Sequence, residues 1–280
     1  MAQLYVYDGS FEGFLTSIFH AYPMNPEQVD FCQEEQYCCS FFQPVMVNTE
    51  IQLAERVSNG IRRTLTEDSL TTVYHAWLSH LEGIEPAIFR FLKRSFAEGR
   101  CLCGFRQDPE VFPVMKAAYA VGGEAHRILG LLRFTKIGRL YVADIRPTYD
   151  LLPIIGPHFL DRFHSQPFLI RDRHYMQALA YNGKQVSIGK FESFKELDQQ
   201  PEEAEALWQA YYKAIAISER KNPKLRRQFM PKKYWEFLTE MQDQPEAHKN
   251  GFEKAIRTQQ KIKLEQDQFF PPSTTFLEKA

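Results

Sequence analysis

Apolar residues recur three and four apart from Glu50 to Gly99, and then, from Arg127 to Ile188, they alternate. That change of period constrains the fold more than any other feature, because a helical stripe and a pleated strand bury their faces in incompatible ways. Ile51, Ala54, Val57 and Ile61 predict a first helix of the early block. Val73, Trp77, Leu78 and Leu81 predict a second, and Ile88, Phe91, Leu92 and Phe96 a third, with Gly83 and Gly99 as breaks. A further helix is expected from about Pro109 to Ala120. Strands are expected at Arg127–Phe134, Arg139–Ile145, Phe168–Arg171, Met176–Tyr181 and Gln185–Ile188, with Asn182-Gly183 as a two-residue hairpin turn between the last two. A helical segment from Asp150 to His164, kinked by Pro153, Gly156 and Pro157, interrupts them.

The flanks fit the same class. Leu4–Tyr7 is β-rich, and Asp8-Gly9 turns into a helix that Ser10 caps and Phe11, Phe14, Leu15 and Ile18 face inward. Residues 23 to 44 read as irregular, punctuated by Pro23, Pro26 and Pro44, with a short strand at Val45–Val47. In the last third, Ala204, Trp208, Tyr211 and Ile215 share one helix face, and Asn222-Pro223 stops that helix. Pro231 suits the first position of another, whose buried stripe is Tyr234, Phe237, Leu238 and Met241. A mixed-charge helix near 246–266 precedes a Pro-Pro tail expected to be flexible. The fold class is α+β: a helical N-terminal third, a central, mostly antiparallel sheet with a covering helix, and a helical C-terminal third.

With 280 residues, 44% hydrophobic and 25% charged, the chain is long enough for one or two cores. No run of about 18 apolar residues exists, so no membrane span is expected. The opening MAQLYVYDGSFEG lacks a basic region followed by an apolar stretch, and five cysteines cannot all pair. Both point to a reducing cytoplasm.

Charge is concentrated in one place. Between Arg220 and Lys233 lie Arg220, Lys221, Lys224, Arg226, Arg227, Lys232 and Lys233, with no acid. Removing those seven from the 34 Lys and Arg leaves 27 cations against 35 acids, so the remainder is at −8. Lys232 and Lys233 fall in the first turn behind Pro231, where unpaired backbone N–H groups are already positive. Each costs roughly 0.3–1 kcal/mol there unless an anion is near. A phosphate is therefore expected at this point, with Arg220 to Arg227 as the surrounding field. Any of Phe229, Tyr234 and Trp235 that faces outward could stack on a base. The plainer alternative is a solvated loop whose cations pair with acids of the remainder.

The stretch AISERKNPKLRRQFMPKKYWEFLTE resembles the C-terminal signature of the bacterial "probable DNA metabolism protein" family. Tyr7–Leu15 (YDGSFEGFL) and Gly138–Asp172 (GRLYVADIRPTYDLLPIIGPHFLDRFHSQPFLIRD) agree with it too. The resemblance implies one family domain over 1–240, in which 1–125 is helical and 126–240 carries the sheet, followed by a helix and tail over 241–280. It also implies a radical SAM partner and work in DNA modification or repair, and some members are fused to a uracil-DNA-glycosylase-like domain. It brings no catalytic residues. Two positions depart from the pattern: Arg173, His174 and Tyr175 follow Asp172 where a Lys-Arg pair is usual, and Tyr149 stands where a histidine is usual.

Other chemistry is weaker. Cys101 and Cys103 with Cys32, Cys38 and Cys39 match no zinc spacing, so no metal or cofactor is expected. No CxxxCxxC triad, GxxxxGK[ST], GxSxG or HExxH occurs. Arg106-Gln107-Asp108-Pro109 is faintly similar to the water-activating motif of uracil-DNA glycosylases, but Arg stands at its glycine. In the central segment, His158 and Asp172 are the candidate general acid/base pair, against the simpler alternative that His158 bonds backbone near Pro157. His75 and His80, beside the Trp77 face, read as ordinary histidines. Three functions remain: an accessory protein that binds nucleic acid or a nucleotide phosphate through Arg220 to Trp235, Trp235 included; an enzyme on a nucleotide or modified base using His158 and Asp172; or an adaptor whose basic segment docks on an acidic face of the radical SAM partner.

Overall fold

Strand β1 (Gln3–Tyr7) is the middle of a three-stranded parallel sheet, paired with β2 (Val29–Gln33) on one side and β3 (Val45–Met46) on the other. The computed structural model describes residues 3–38, 44–190 and 223–241. The chain divides into two units, Met1–Gly123 and Glu124–Ala280.

In the first unit, α1 (Phe11–Ala21) makes the crossover from β1 to β2. Ser10, in extended backbone, caps it by accepting from the Gly13 N–H at 2.9 Å. Asp8 in turn accepts from the Ser10 N–H at 2.9 Å, the Ser10 hydroxyl at 2.6 Å and the Thr49 hydroxyl at 2.8 Å. A Cβ on Gly13 would run into the Asp8 carboxylate and come within 2.8 Å of Thr49 Oγ1, so this clasp closes only around glycine. Strand β2 lies inside the stretch read as irregular. Val29 and Phe31 face the core with Asp30 exposed between them, an alternation too short for its period to stand out among prolines.

Helices α2 (Ile51–Thr64), α3 (Glu67–Trp77) and α4 (Ile84–Glu98) occupy the region of helical period. Ala54, Ile61, Val73, Trp77, Ile88, Phe91 and Leu92 are buried as that period requires, whereas Ile51 and Leu81 are exposed. The Trp77 indole N–H donates to Tyr7 Oη at 3.0 Å, and the Tyr7 hydroxyl donates to Glu85 at 2.6 Å. Burial first, then the Glu85 charge, pushes the Tyr7 hydroxyl far up.

Helix α5 (Phe112–Leu131) runs through the boundary between the units. It overturns the expected end near Ala120 and the strand expected from Arg127. Val121, Ala125 and Ile128 continue the helical stripe of Val114, Ala117 and Ala118, and the first strand after it, β4 (Thr135–Ile137), begins beyond the expected one.

The second unit is built on a five-stranded sheet, β4-β5-β6-β7-β8, with β5 (Leu140–Ile145), β6 (Phe168–Asp172), β7 (Gln177–Tyr181) and β8 (Val186–Lys190). Three of its four pairings are antiparallel; β5 and β6 are parallel, joined by α6 (Leu152–Arg162). One face carries Ile137, Leu140, Val142, Leu169, Ala178 and Ala180. On the other face α6 packs against β7, and a Cβ on Gly156 would lie 2.5 Å from Leu179 Cδ1. The central strand β6 is buried along its whole length, β8 exposed along its own. The β7–β8 connection is not the expected two-residue turn. Tyr181 pairs with Val186, leaving Asn182–Gln185 as the loop, and the Asn182 side chain accepts from the Lys184 and Gln185 N–H groups.

Of the C-terminal third, the expected helices over 204–219 and 246–266 and the tail lie outside the described residues. Pro223 starts α7 (Pro223–Phe229), and α7 occupies what the plainer alternative took as loop. Pro231 flanks a 3-10 turn, Lys232–Phe237, rather than opening an α-helix. Tyr234, Leu238 and Met241 are buried there as expected, and Phe237 is half-buried.

Candidate functional site

Three segments of the second unit meet at the carboxyl ends of the parallel pair β5–β6. The loop after β5 brings Thr148, Tyr149 and Asp150; the end of β6 and its turn bring Asp172 to Tyr175; α5 contributes Glu124. In open sheets, the carboxyl ends of parallel strands are where loops gather into sites.

Glu124 is the most connected acid. Its side chain is 1% exposed and accepts from the Thr148 N–H at 2.9 Å, the Thr148 hydroxyl at 3.1 Å, the Tyr149 N–H at 3.2 Å and the Tyr234 hydroxyl at 2.5 Å. Lys233 Nζ donates to the same carboxylate and, at 2.6 Å, to Thr148 Oγ1. Burial would raise the Glu124 carboxyl. The hydrogen bonds from Lys233 and Tyr234, the Lys233 charge and the Thr148 N–H outweigh it and hold the group below its ordinary value. The anion expected beside Lys233 is thus a carboxylate of the protein itself. Sequence carried a signal for Glu124: it sits three residues after Val121 and one before Ala125, an acid on an otherwise apolar helix face.

Asp172 is in a different state. It is 0% exposed. Its Oδ1 accepts from the His174 N–H at 2.8 Å and the Tyr175 N–H at 3.1 Å, and its Oδ2 has no hydrogen-bond partner. Leaving a buried acceptor unpaired costs about 1–3 kcal/mol. Burial, opposed by the two backbone bonds and reinforced by the charges of Asp150 and Glu124, pushes the carboxyl up to about 7. Asp150 accepts from Gln177 Nε2 at 2.6 Å, and the Tyr175 hydroxyl donates to the Thr148 carbonyl at 3.0 Å. Burial and the charges of Asp150, Asp172 and Glu124 push that hydroxyl up to about 12.

His158 is not brought to Asp172. It is exposed on α6 with its ring edge-on to Phe159 at 5.1 Å, and the bonds Asp172 makes are to the His174 and Tyr175 N–H groups. On the other sheet face, Asp144 and Arg171 are neighbours across β5–β6 and form a two-pronged ion pair at 2.6 and 2.8 Å. Arg173 adds a third contact at 2.9 Å.

The basic segment divides into spent and exposed cations. Lys233 is held by Glu124. Arg226 and Lys232 lie over the Trp235 ring, at 5.1 and 5.7 Å from its centroid. Trp235 is 4% exposed and donates to the Met230 carbonyl at 2.9 Å, so it is a core residue that carries cations rather than an open stacking platform. Lys224 and Arg227 are exposed on α7, which buries none of its residues, and Phe229 is 65% exposed. Arg220 and Lys221 lie outside the described residues.

In the first unit, Asp108 of the Arg106–Pro109 stretch accepts from Arg94 at 2.7 Å and from the Glu110 N–H at 3.0 Å, a structural role. Cys32, Cys38, Cys101 and Cys103 are free thiols, and among the described residues no His, Cys, Asp and Glu cluster is arranged to hold a metal ion. No described helix is long and apolar enough to cross a membrane.

No curated protein and no solved structure matches the chain. A family profile matches residues 82–240, a span that takes in α4, α5, the whole five-stranded sheet, α7 and the Lys232–Phe237 turn. The match covers more than half of the 280 residues, and the chain therefore belongs to the DUF4130 family, a domain of unknown function.

Proposed function

We propose that this chain is an accessory protein of DNA repair or modification that binds nucleic acid, or a nucleotide phosphate, through α7 and works with a radical SAM partner. The supporting observation is α7 itself. It is a helix with no buried residue and with Lys224 and Arg227 exposed. From Pro223 to Trp235 there is no acid. Phe229 and Leu225 stand outward beside those cations. Phosphates answer the charge and an unstacked base answers the aromatic ring, so a single-stranded nucleic acid suits both features at once. Lys233 and Trp235 drop out of the contact set because Glu124 and the core already hold them. The partner and the setting in DNA metabolism rest on the resemblance of the three sequence stretches.

Fluorescence anisotropy with labelled single-stranded and duplex DNA tests the proposal. Log K should fall linearly with log salt, at a slope of about −0.7 per phosphate contacted on a single strand. The pair K224E/R227E should abolish binding, and F229A should weaken single-strand binding more than duplex binding. Binding that ignores salt and charge reversal, or no binding, overturns it. Exposed Leu225 and Phe229 also favour the adaptor alternative; a pull-down that survives nuclease treatment, with no DNA binding, would select it.

A further inference from the structure

In the first unit, the solvent side of α5 carries aromatic rings that the core does not use. Phe112, Lys116 and Tyr119 are exposed at spacings of four and three, so they share one face of the helix. Val114, Met115, Ala117, Ala118 and Val121 are buried on the other. Phe112 is 50% exposed and Tyr119 54%, and Phe105, in the loop ahead of the helix, is 47% exposed. Single exposed rings are ordinary, whereas several along one short stretch mark a contact surface.

Each ring lies beside a cation. The Arg100 guanidinium is 4.8 Å from the Phe105 centroid, Arg106 is 4.8 Å from that of Tyr119, and Lys116 is 5.8 Å from that of Phe112. Arg106 also donates to the Tyr119 hydroxyl at 2.5 Å, which brings the loop onto the α5 face. The acids of the stretch are taken elsewhere: Glu98 by Arg94 and Arg100, Asp108 and Glu110 by Arg94. Among the described residues, Arg106 and Lys116 meet rings and the Tyr119 hydroxyl, not a carboxylate. Residues 111 to 123 contain no acid at all. The face is therefore positive as well as aromatic.

We propose that Phe105, Arg106, Phe112, Lys116 and Tyr119 form a second contact surface for single-stranded DNA, a reading that rests on the nucleic-acid function proposed above. Bases stack on the rings, and Arg106 and Lys116 swing from the rings to the phosphates. At exposed sites a cation holds a ring less strongly than a stacked base does, so the exchange is downhill. Phe112 and Tyr119 stand roughly 10 Å apart along the axis, seven residues at about 1.5 Å each, so each takes its own base. An acidic protein face would answer the two cations but leave the rings idle. A duplex keeps its bases stacked inside and would answer the cations alone.

The test is made on the full chain with α7 intact. Single strands carrying 5-iodouracil, irradiated in complex with the wild-type protein, should crosslink to Phe105, Phe112 or Tyr119, as mapped by mass spectrometry. By anisotropy, R106E/K116E should weaken single-strand binding at least tenfold and flatten the salt slope by about 1.4, two phosphates at about 0.7 each. F112A/Y119A should weaken it at least tenfold with the slope unchanged, and should spare duplex binding. Binding lost in K224E/R227E but untouched by both of these variants, with every crosslink outside residues 105–119, overturns this surface and leaves α7 standing. The reverse pattern upholds this surface and removes α7. A chain that binds no single strand overturns both. The crosslink needs only the wild-type chain, so it decides the matter even if a variant does not fold.

Discussion

Lys233 Nζ donates to Glu124 Oε1 across 109 residues of chain, joining a partly exposed ammonium to a carboxylate that is almost wholly buried. The pair fastens α5, the loop after β5 and the Lys232–Phe237 turn to one point, because Thr148, Tyr149 and Tyr234 bond the same carboxylate. K233M should destabilise the fold by about 1–3 kcal/mol, since it leaves a buried acceptor under-satisfied. E124Q/K233M should recover part of that loss, and a double-mutant cycle by urea denaturation measures the coupling. Additive losses would show that the two groups do not interact.

The two buried acids should shape stability against pH in opposite directions. Asp172 rises from 3.8 to about 7 on folding, so the native state binds its proton more tightly. Its contribution is fully present below pH 4 and is lost as pH rises through 7, a change on the order of 4 kcal/mol. Glu124 is lowered from 4.5, so its contribution is present above that value and is lost as pH falls through the lower folded one. D172N keeps an oxygen for the His174 and Tyr175 N–H groups. It should therefore stabilise the protein at pH 8 relative to wild type and flatten the fall between pH 4 and 8 in urea titrations.

Arg171 is 1% exposed, and Asp144 grips its guanidinium at 2.6 and 2.8 Å. Losing the Asp144 charge weakens both prongs of a buried ion pair, so D144N should cost about 3–5 kcal/mol. Thermal unfolding of D144N beside E236Q checks the contrast. Glu236 meets Arg146 at 3.0 Å where both are exposed, and its loss should cost under about 1 kcal/mol.

Gly156 should not tolerate a methyl group. The Leu179 side chain whose Cδ1 a Cβ would meet at 2.5 Å is itself buried in the sheet, so it must shift within a packed interior. G156A should therefore cost about 1–3 kcal/mol through overpacking. In G156A/L179A the combined loss should be smaller than the sum of the two single losses, and equal values would refute the steric cause.

The long helices were legible because α2, α3 and α4 repeat a strong period over several turns, and β5, β6 and β7 because their apolar runs are bounded by clear turn residues. Strand β2 escaped because five residues with Asp30 and Cys32 among them carry almost no period, and its parallel pairing with β1 is a long-range choice. The end of α5 escaped because the residues from Arg127 read as a strand, whereas buried neighbours at Val121, Ala125 and Ile128 sustain the helix. At the site, Asp172 was visible as a strand-end acid and Lys233 as a misplaced cation. Their real neighbours were not: Glu124 lies 109 positions from Lys233, and nothing local in a sequence announces such a meeting.

Arg133 closes the second unit by pairing with Glu240 at 2.9 Å, 107 residues later, and the family match stops at that same residue. On a ribosome adding 5–20 residues per second, roughly 5–20 s separate the emergence of the two partners. For most of that interval, until residues 233 and 234 emerge, Glu124 has neither Lys233 nor Tyr234. The nascent unit therefore waits with Glu124 lacking its counter-cation until the turn at Lys232 arrives, and truncation before Lys232 would leave every molecule in that waiting state.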